Sequence, residues 1–221
     1  MRLIDTKIDY NSIMKFTNDD AKRLEEIIKA RRDVRGNRFI QTPIEEEKLT
    51  QILEAGVYAP SVGYSQPWKF VVIEDQKIKD DLFENFTQEN EKAKKIFQER
   101  ALYDSLKLEG IKEAPLNIAV LYEPSDDEVL GMTTMKKMGE YSVVCAVQNM
   151  WLMARSLNIG IGWVSILDEQ KVLTTLQQKE SMKLVAYLCV GYVDKFYAQS
   201  ELKTLGWERE KTLQEVVERI G

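Results

Sequence analysis

Residues 141–157, YSVVCAVQNMWLMARSL, constrain the fold more than any other stretch. Their apolar side chains fall on nearly every side of a helix, so the helix must run through the middle of the protein. Ser142, Gln148, Asn149 and Arg155 interrupt the run, which argues against a membrane span. A chain built round such a helix needs other elements to cover it. KFVVIED (69–75), LNIAVLYE (116–123), GIGWVSIL (160–167) and KLVAYLCVGYV (183–193) read as strands, several of them apolar throughout.

Helices fill most of the remainder. Asn18 or Asp19 can cap a helix through about Ala30, with Leu24, Ile27 and Ile28 inward and Gly36 as a stop signal. Thr42, Pro43 and Glu45 predict a second start, with Leu49, Ile52 and Leu53 on its buried face. The charged segment from Lys77 to Lys112 is helical in period, with Phe83, Phe97, Leu102 and Leu106 as sparse apolar points, and Pro115 ends it. PSDDEVLGMTTMKKMG (124–139) reads as a polar loop, and KTLQEVVERI (211–220) as a final helix. There is no internal repeat and no linker-like tract, so a single α+β domain over 1–221 is the expectation.

The composition narrows the chemistry. The chain has 221 residues, a net charge of −5 and no histidine. A net negative charge disfavours nucleic acid as the main partner. Without histidine, neither a Ser-His-Asp triad nor a histidine-ligated metal can form within the chain. Cys145 and Cys189 lie far apart in apolar contexts and are expected to be buried thiols of a reducing compartment. MRLIDTKIDY has no apolar signal core, so a cytoplasmic protein is expected. Chemistry must then rest on carboxylates, hydroxyls, arginines or a borrowed cofactor, with no metal site expected.

Three stretches could carry that chemistry. In ARRDVRG (30–36), Arg31, Arg32 and Arg35 crowd Asp33. Three guanidinium groups suit a phosphate, but cations also complement a helix C-terminus, with Asp33 then a plain ion-pair partner. GIGWVS lacks the third glycine of a dinucleotide fingerprint and enters a strand instead of a helix, so that reading fails. Gly160 then reads as a helix stop and Gly162 as the site of a close backbone approach. APSVGYSQPW (59–68) is either a turn into a strand or a rigid loop offering hydroxyl and amide groups to a planar heterocycle. Met132, Met135 and Met138 recur at helical spacing and read as flexible packing.

Taken in order and spacing, RRDVRG, APSVGYSQPW, LKLEGIKEAP, YSVVCAVQNMWLMARSLNIGIGWVSIL and LVAYLCVGY resemble the nitroreductase superfamily of FMN proteins. More narrowly they resemble its BluB-type 5,6-dimethylbenzimidazole synthases, through the Asp of RRDVRG and the Ser of GWVSI. The resemblance implies a nitroreductase-like α+β fold: a mixed, largely antiparallel sheet flanked by helices, in an intertwined homodimer with FMN at the subunit interface. It implies that Arg31, Arg32 and Arg35, with Asp33 and Val34 among them, hold the FMN phosphate and ribityl chain. Ser61 with Gln66 would meet the flavin, Leu108 would belong to a lid over it within 88–112, and Ser165 would stand beside the reactive edge of the ring.

The activity so implied consumes reduced FMN and O2 and yields 5,6-dimethylbenzimidazole, the lower ligand of vitamin B12, and erythrose 4-phosphate. A separate flavin reductase would deliver the reduced FMN. Asp33 would act as proton acceptor near the ribityl carbons, kept ionised by its arginines, and Ser165 would assist the chemistry. Met132 stands where the family pattern has an arginine, and Arg209 and Lys211 thin out a basic run near the C-terminus. Two alternatives remain at this stage: an NAD(P)H-dependent FMN nitroreductase or flavin reductase, and a non-catalytic FMN-binding protein.

Overall fold

The structure is a computed structural model that describes residues 15–221. The reading of MRLIDTKIDY falls outside those residues. No helix among the described residues is long and apolar enough to cross a membrane.

The chain order is α1 (Asn18–Ala30), α2 (Glu46–Val57), β1 (Trp68–Ile73), α3 (Gln76–Ile96), β2 (Leu116–Tyr122), α4 (Met138–Ser156), β3 (Ile159–Val164), α5 (Glu169–Thr175), β4 (Lys183–Tyr192), α6 (Glu201–Thr204) and α7 (Leu213–Val216). The four strands form one sheet in the order β1-β2-β4-β3, and every adjacent pair is antiparallel. The parallel contribution comes from an isolated bridge between Asp33 and Ile161 at the free edge of β3. The expected mixed, largely antiparallel sheet is therefore present.

Strand side chains alternate between two cores, as a period of two requires. Ile118, Val120, Leu188 and Val190 face α2 and α4, whereas Ala119, Leu121, Tyr187 and Cys189 face α3 and α5. Because both faces are covered, β2 is buried along its whole length. This explains its unbroken apolar sequence.

The central helix α4 is covered by its own chain on one side only. Val143, Ala146, Val147 and Met150 are buried, while Tyr141, Val144 and Cys145 are exposed. Cys145 therefore departs from the expectation of a buried thiol, because it lies on the uncovered stripe; Cys189 is buried as expected. Leu24 and Ile28 are likewise about half exposed, so the expected inner face of α1 is not buried within this chain.

Several element ends differ from the sequence reading. Thr17, not Asn18 or Asp19, caps α1, in a capping box with Asp20. Helix α2 begins after Glu45 instead of Thr42. The Glu45 carboxylate is held there by the Tyr192 hydroxyl and by Lys48 at 3.1 Å. Gly36 does not stop α1, which already ends at Ala30 as Arg31 turns extended. Gly160 lies inside β3, and Asn158 makes the preceding turn with φ 60°. The final helix is four residues instead of the expected ten, since Leu213, Val216, Val217 and Ile220 stay largely exposed and lend it little packing.

Candidate functional site

An edge strand must satisfy its outward N–H and C=O groups, and β3 does so with the segment that follows α1. Val34 N–H donates to the Ile161 carbonyl at 3.0 Å. Two residues on, the Trp163 N–H donates at 2.9 Å to Asp33 Oδ1, so a side chain completes the pairing. The approach is possible because position 162 is glycine. A Cβ there would stand 2.0 Å from the Val34 carbonyl oxygen. The close approach expected at Gly162 is thus made by the chain's own backbone, and it fixes Asp33.

The other carboxylate oxygen of Asp33 forms an ion pair with Arg35. Arg35 also donates to the Leu108 carbonyl at 3.0 Å and the Trp163 carbonyl at 3.2 Å. Gly36 N–H donates to the Glu109 carbonyl at 2.8 Å, which ties the LKLEG turn to the same strip. Burial pushes the Asp33 carboxyl above its ordinary range, against the downward pull of Arg35, the Trp163 N–H and Arg31. The effect of the arginines expected from the sequence is present, but desolvation is larger.

The three arginines divide their work. Arg32 donates to the carbonyls of Lys29 (2.7 Å), Arg31 (2.6 Å), Tyr197 (3.0 Å) and Ala198, so most of its five donors are used in capping α1 and fastening the chain after β4. Arg35 is committed as described. The Arg31 guanidinium makes no hydrogen bond or ion pair among the described residues and lies over the Trp151 ring, 4.7 Å from its centroid.

Arg31, Arg32, Asp33 and Arg35 line a cavity of about 440 Å³, within the range of small-molecule sites. Leu106, Lys107 and Leu108 form one wall, and Tyr197 with residues 199–203 and Glu210 another. Val34, between Asp33 and Arg35 in sequence, does not line the cavity; it is 5% exposed and packs against β3. The second wall and Trp151 were missed in the sequence. FYAQSELK carries no motif, and a lone tryptophan in an apolar helix looks like core.

Other expected residues lie elsewhere. Ser65 N–H bonds back to Val62, and Ser61 Oγ accepts the Gln66 N–H at 3.1 Å, within a tight loop where Gly63, Tyr64 and Gln66 all have positive φ. That loop does not line the cavity. Ser165 follows β3 directly and is exposed, two residues beyond Trp163. Met132 lines a separate small cavity with Tyr122 and Lys136. Arg209 is engaged by both oxygens of Glu215, at 2.5 and 3.1 Å. No cluster able to hold a metal ion occurs among the described residues.

The donor set fits a phosphorylated cofactor. One uncommitted guanidinium points to an anion, hydrocarbon comes from Leu106 and Leu108, and the carboxylates of Asp33, Glu201 and Glu210 stand at the walls, those of Asp33 and Glu210 paired with Arg35 and Lys203.

The chain with this four-stranded antiparallel sheet between helices belongs to the nitroreductase family, whose model matches residues 28–192. The chain is 40% identical over 189 residues to a 5,6-dimethylbenzimidazole synthase of Rhodospirillum rubrum, covering 84% of this chain and 89% of the relative. Its fold is shared with a BluB-like flavoprotein of Clostridium difficile (TM-score 0.67, 18% identity, 90% of this chain and 99% of that one). It is also shared with an iodotyrosine deiodinase bound to FMN and 3-iodo-L-tyrosine (TM-score 0.64, 24% identity, 86% and 96%).

Proposed function

We propose that the chain is a 5,6-dimethylbenzimidazole synthase that binds reduced FMN and, with O2, converts it to 5,6-dimethylbenzimidazole and erythrose 4-phosphate. The observation that carries this reading is Asp33: a carboxylate held by Arg35 and the Trp163 N–H in the wall of a cavity that also holds the uncommitted Arg31. Phosphate binding alone does not call for a negative charge beside the arginines, although this one also completes the edge of the sheet. The 40% identity to a protein of that activity supports the same reading.

Bound reduced FMN supplies the electrons for O2 and the carbon skeleton of the product. The chain's own residues do the rest. Arg31 receives the phosphate. Leu108 and the 88–112 segment cover the ring and keep water out. Asp33 accepts a proton at its carboxylate. A carboxyl shifted upward by burial is a stronger base than an ordinary aspartate, and with no histidine in the chain it is the natural acceptor. Ser165 acts near the ring edge through its hydroxyl.

Because the cover excludes a second cofactor, a separate flavin reductase delivers the reduced FMN. The chain works as a homodimer. The exposed faces of α1 (Leu24, Ile28) and α4 (Tyr141, Val144) support a second copy packing there. The Ser61–Gln66 loop, remote from its own cavity, then serves the partner's flavin.

The test is a pair of variants. Asp33→Asn and Ser165→Gly bind FMN within about threefold of wild type and form no dimethylbenzimidazole. Loss of FMN binding in either variant would assign that residue to structure instead.

A further inference from the structure

Trp151 touches the surroundings of Asp33 at three points. It is 8% exposed in the C-terminal part of α4. Its indole N–H donates to the Arg32 carbonyl at 3.1 Å, at the peptide immediately before Asp33. Its ring lies under the Arg31 guanidinium, 4.7 Å from centroid to carbon. The same ring packs beside Trp163 at 6.2 Å, the residue whose N–H holds Asp33.

An arginine side chain is long, and without a partner it samples many rotamers. Arg31 has no hydrogen bond among the described residues to choose one, so the ring beneath it is what fixes its place. A cation held over a ring face keeps its N–H donors unspent, which a carbonyl or carboxylate partner would not allow. From this juxtaposition we infer that Trp151 is a positioning residue: it presents Arg31, with its donors free, to the phosphate of the flavin. This rests on the FMN reading above.

The inference is tested by the ratio of FMN to riboflavin affinity, since the two ligands differ only in the phosphate. Flavin fluorescence reads both in the oxidised state, without turnover. Trp151→Leu lowers the ratio by about tenfold and leaves riboflavin affinity within twofold, whereas Trp151→Phe, which keeps a ring under Arg31, restores most of it. Arg31→Ala lowers the ratio at least as far.

Three results would overturn the proposal, and they differ. A ratio unchanged in Trp151→Leu but lost in Arg31→Ala leaves the phosphate reading standing and removes Trp151 from it. Equal losses for both flavins assign Trp151 to packing alone. A ratio unmoved by either variant shows that Arg31 does not read the phosphate. If Trp151→Leu does not fold, the indole N–H resonance of Trp151 in otherwise wild-type protein decides. Inorganic phosphate shifts it, and the shift disappears in Arg31→Ala; no shift in wild type overturns the inference.

Discussion

Asp33 and Trp163 are joined by a hydrogen bond from backbone to side chain, the Trp163 N–H donating to Asp33 Oδ1 at 2.9 Å. This one contact closes the edge of the sheet and holds the carboxylate in the cavity wall. The same atoms thus serve the fold and the site, which makes the site's chemistry sensitive to packing around β3.

Burial raises the Asp33 carboxyl, and Arg35 opposes it. A raised folded-state value means that the folded chain holds this proton more tightly than the unfolded chain does. The stability so contributed is full below the unfolded value of about 3.9 and is lost as pH rises through the folded one. Carbon-13 NMR of the Asp33 carboxyl in the flavin-free protein should give a midpoint above that ordinary value. Arg35→Gln should move it higher still, since it removes the largest opposing influence.

Gly162→Ala should be among the most damaging small substitutions. Its Cβ would meet the Val34 carbonyl oxygen at 2.0 Å, so backbone must shift. The expected loss is about 3 kcal/mol, read as a lower denaturant midpoint with unchanged slope. Gly206→Ala is the contrast: its φ is 76° but nothing lies within 4 Å of the added carbon. It should cost only the local strain, about 1 kcal/mol.

Trp207 ties the C-terminal segment to the end of α3. Arg100 lies over its ring at 3.7 Å, and Phe97 meets it edge-on at 5.6 Å. Both tied segments continue into walls of the cavity. Trp207→Ala should therefore raise amide exchange in residues 97–108 and 199–210 together, by about tenfold. Faster exchange in only one of the two segments would show that they are not coupled.

The exposed stripe of α4 predicts the assembly. Val144→Arg should convert a dimer to a monomer in light scattering while the far-ultraviolet spectrum is retained. With the stripe covered in the dimer, Cys145 should react slowly with a thiol reagent in wild type and quickly in the variant.

Much of this was legible in the sequence. β2 above all announced itself by its apolar run, because a strand buried on both faces has no polar side to alternate. The 141–157 run marked the central helix, although one face of it stays exposed within this chain, Cys145 included. Asp33 and the arginines were visible as a cluster, but not their division of labour. Which guanidinium is left free depends on carbonyls at Tyr197 and Ala198, far along the chain. α5 went unread because seven residues span barely two turns. The 211–220 helix was overread because a helical period does not make a helix when nothing covers its apolar face.

The central claim is that this chain consumes its flavin. The most direct measurement is to bind reduced FMN to the purified protein without oxygen, admit air, and separate the products by chromatography. Dimethylbenzimidazole should appear in step with the loss of FMN. Recovery of intact oxidised FMN with hydrogen peroxide would contradict the account.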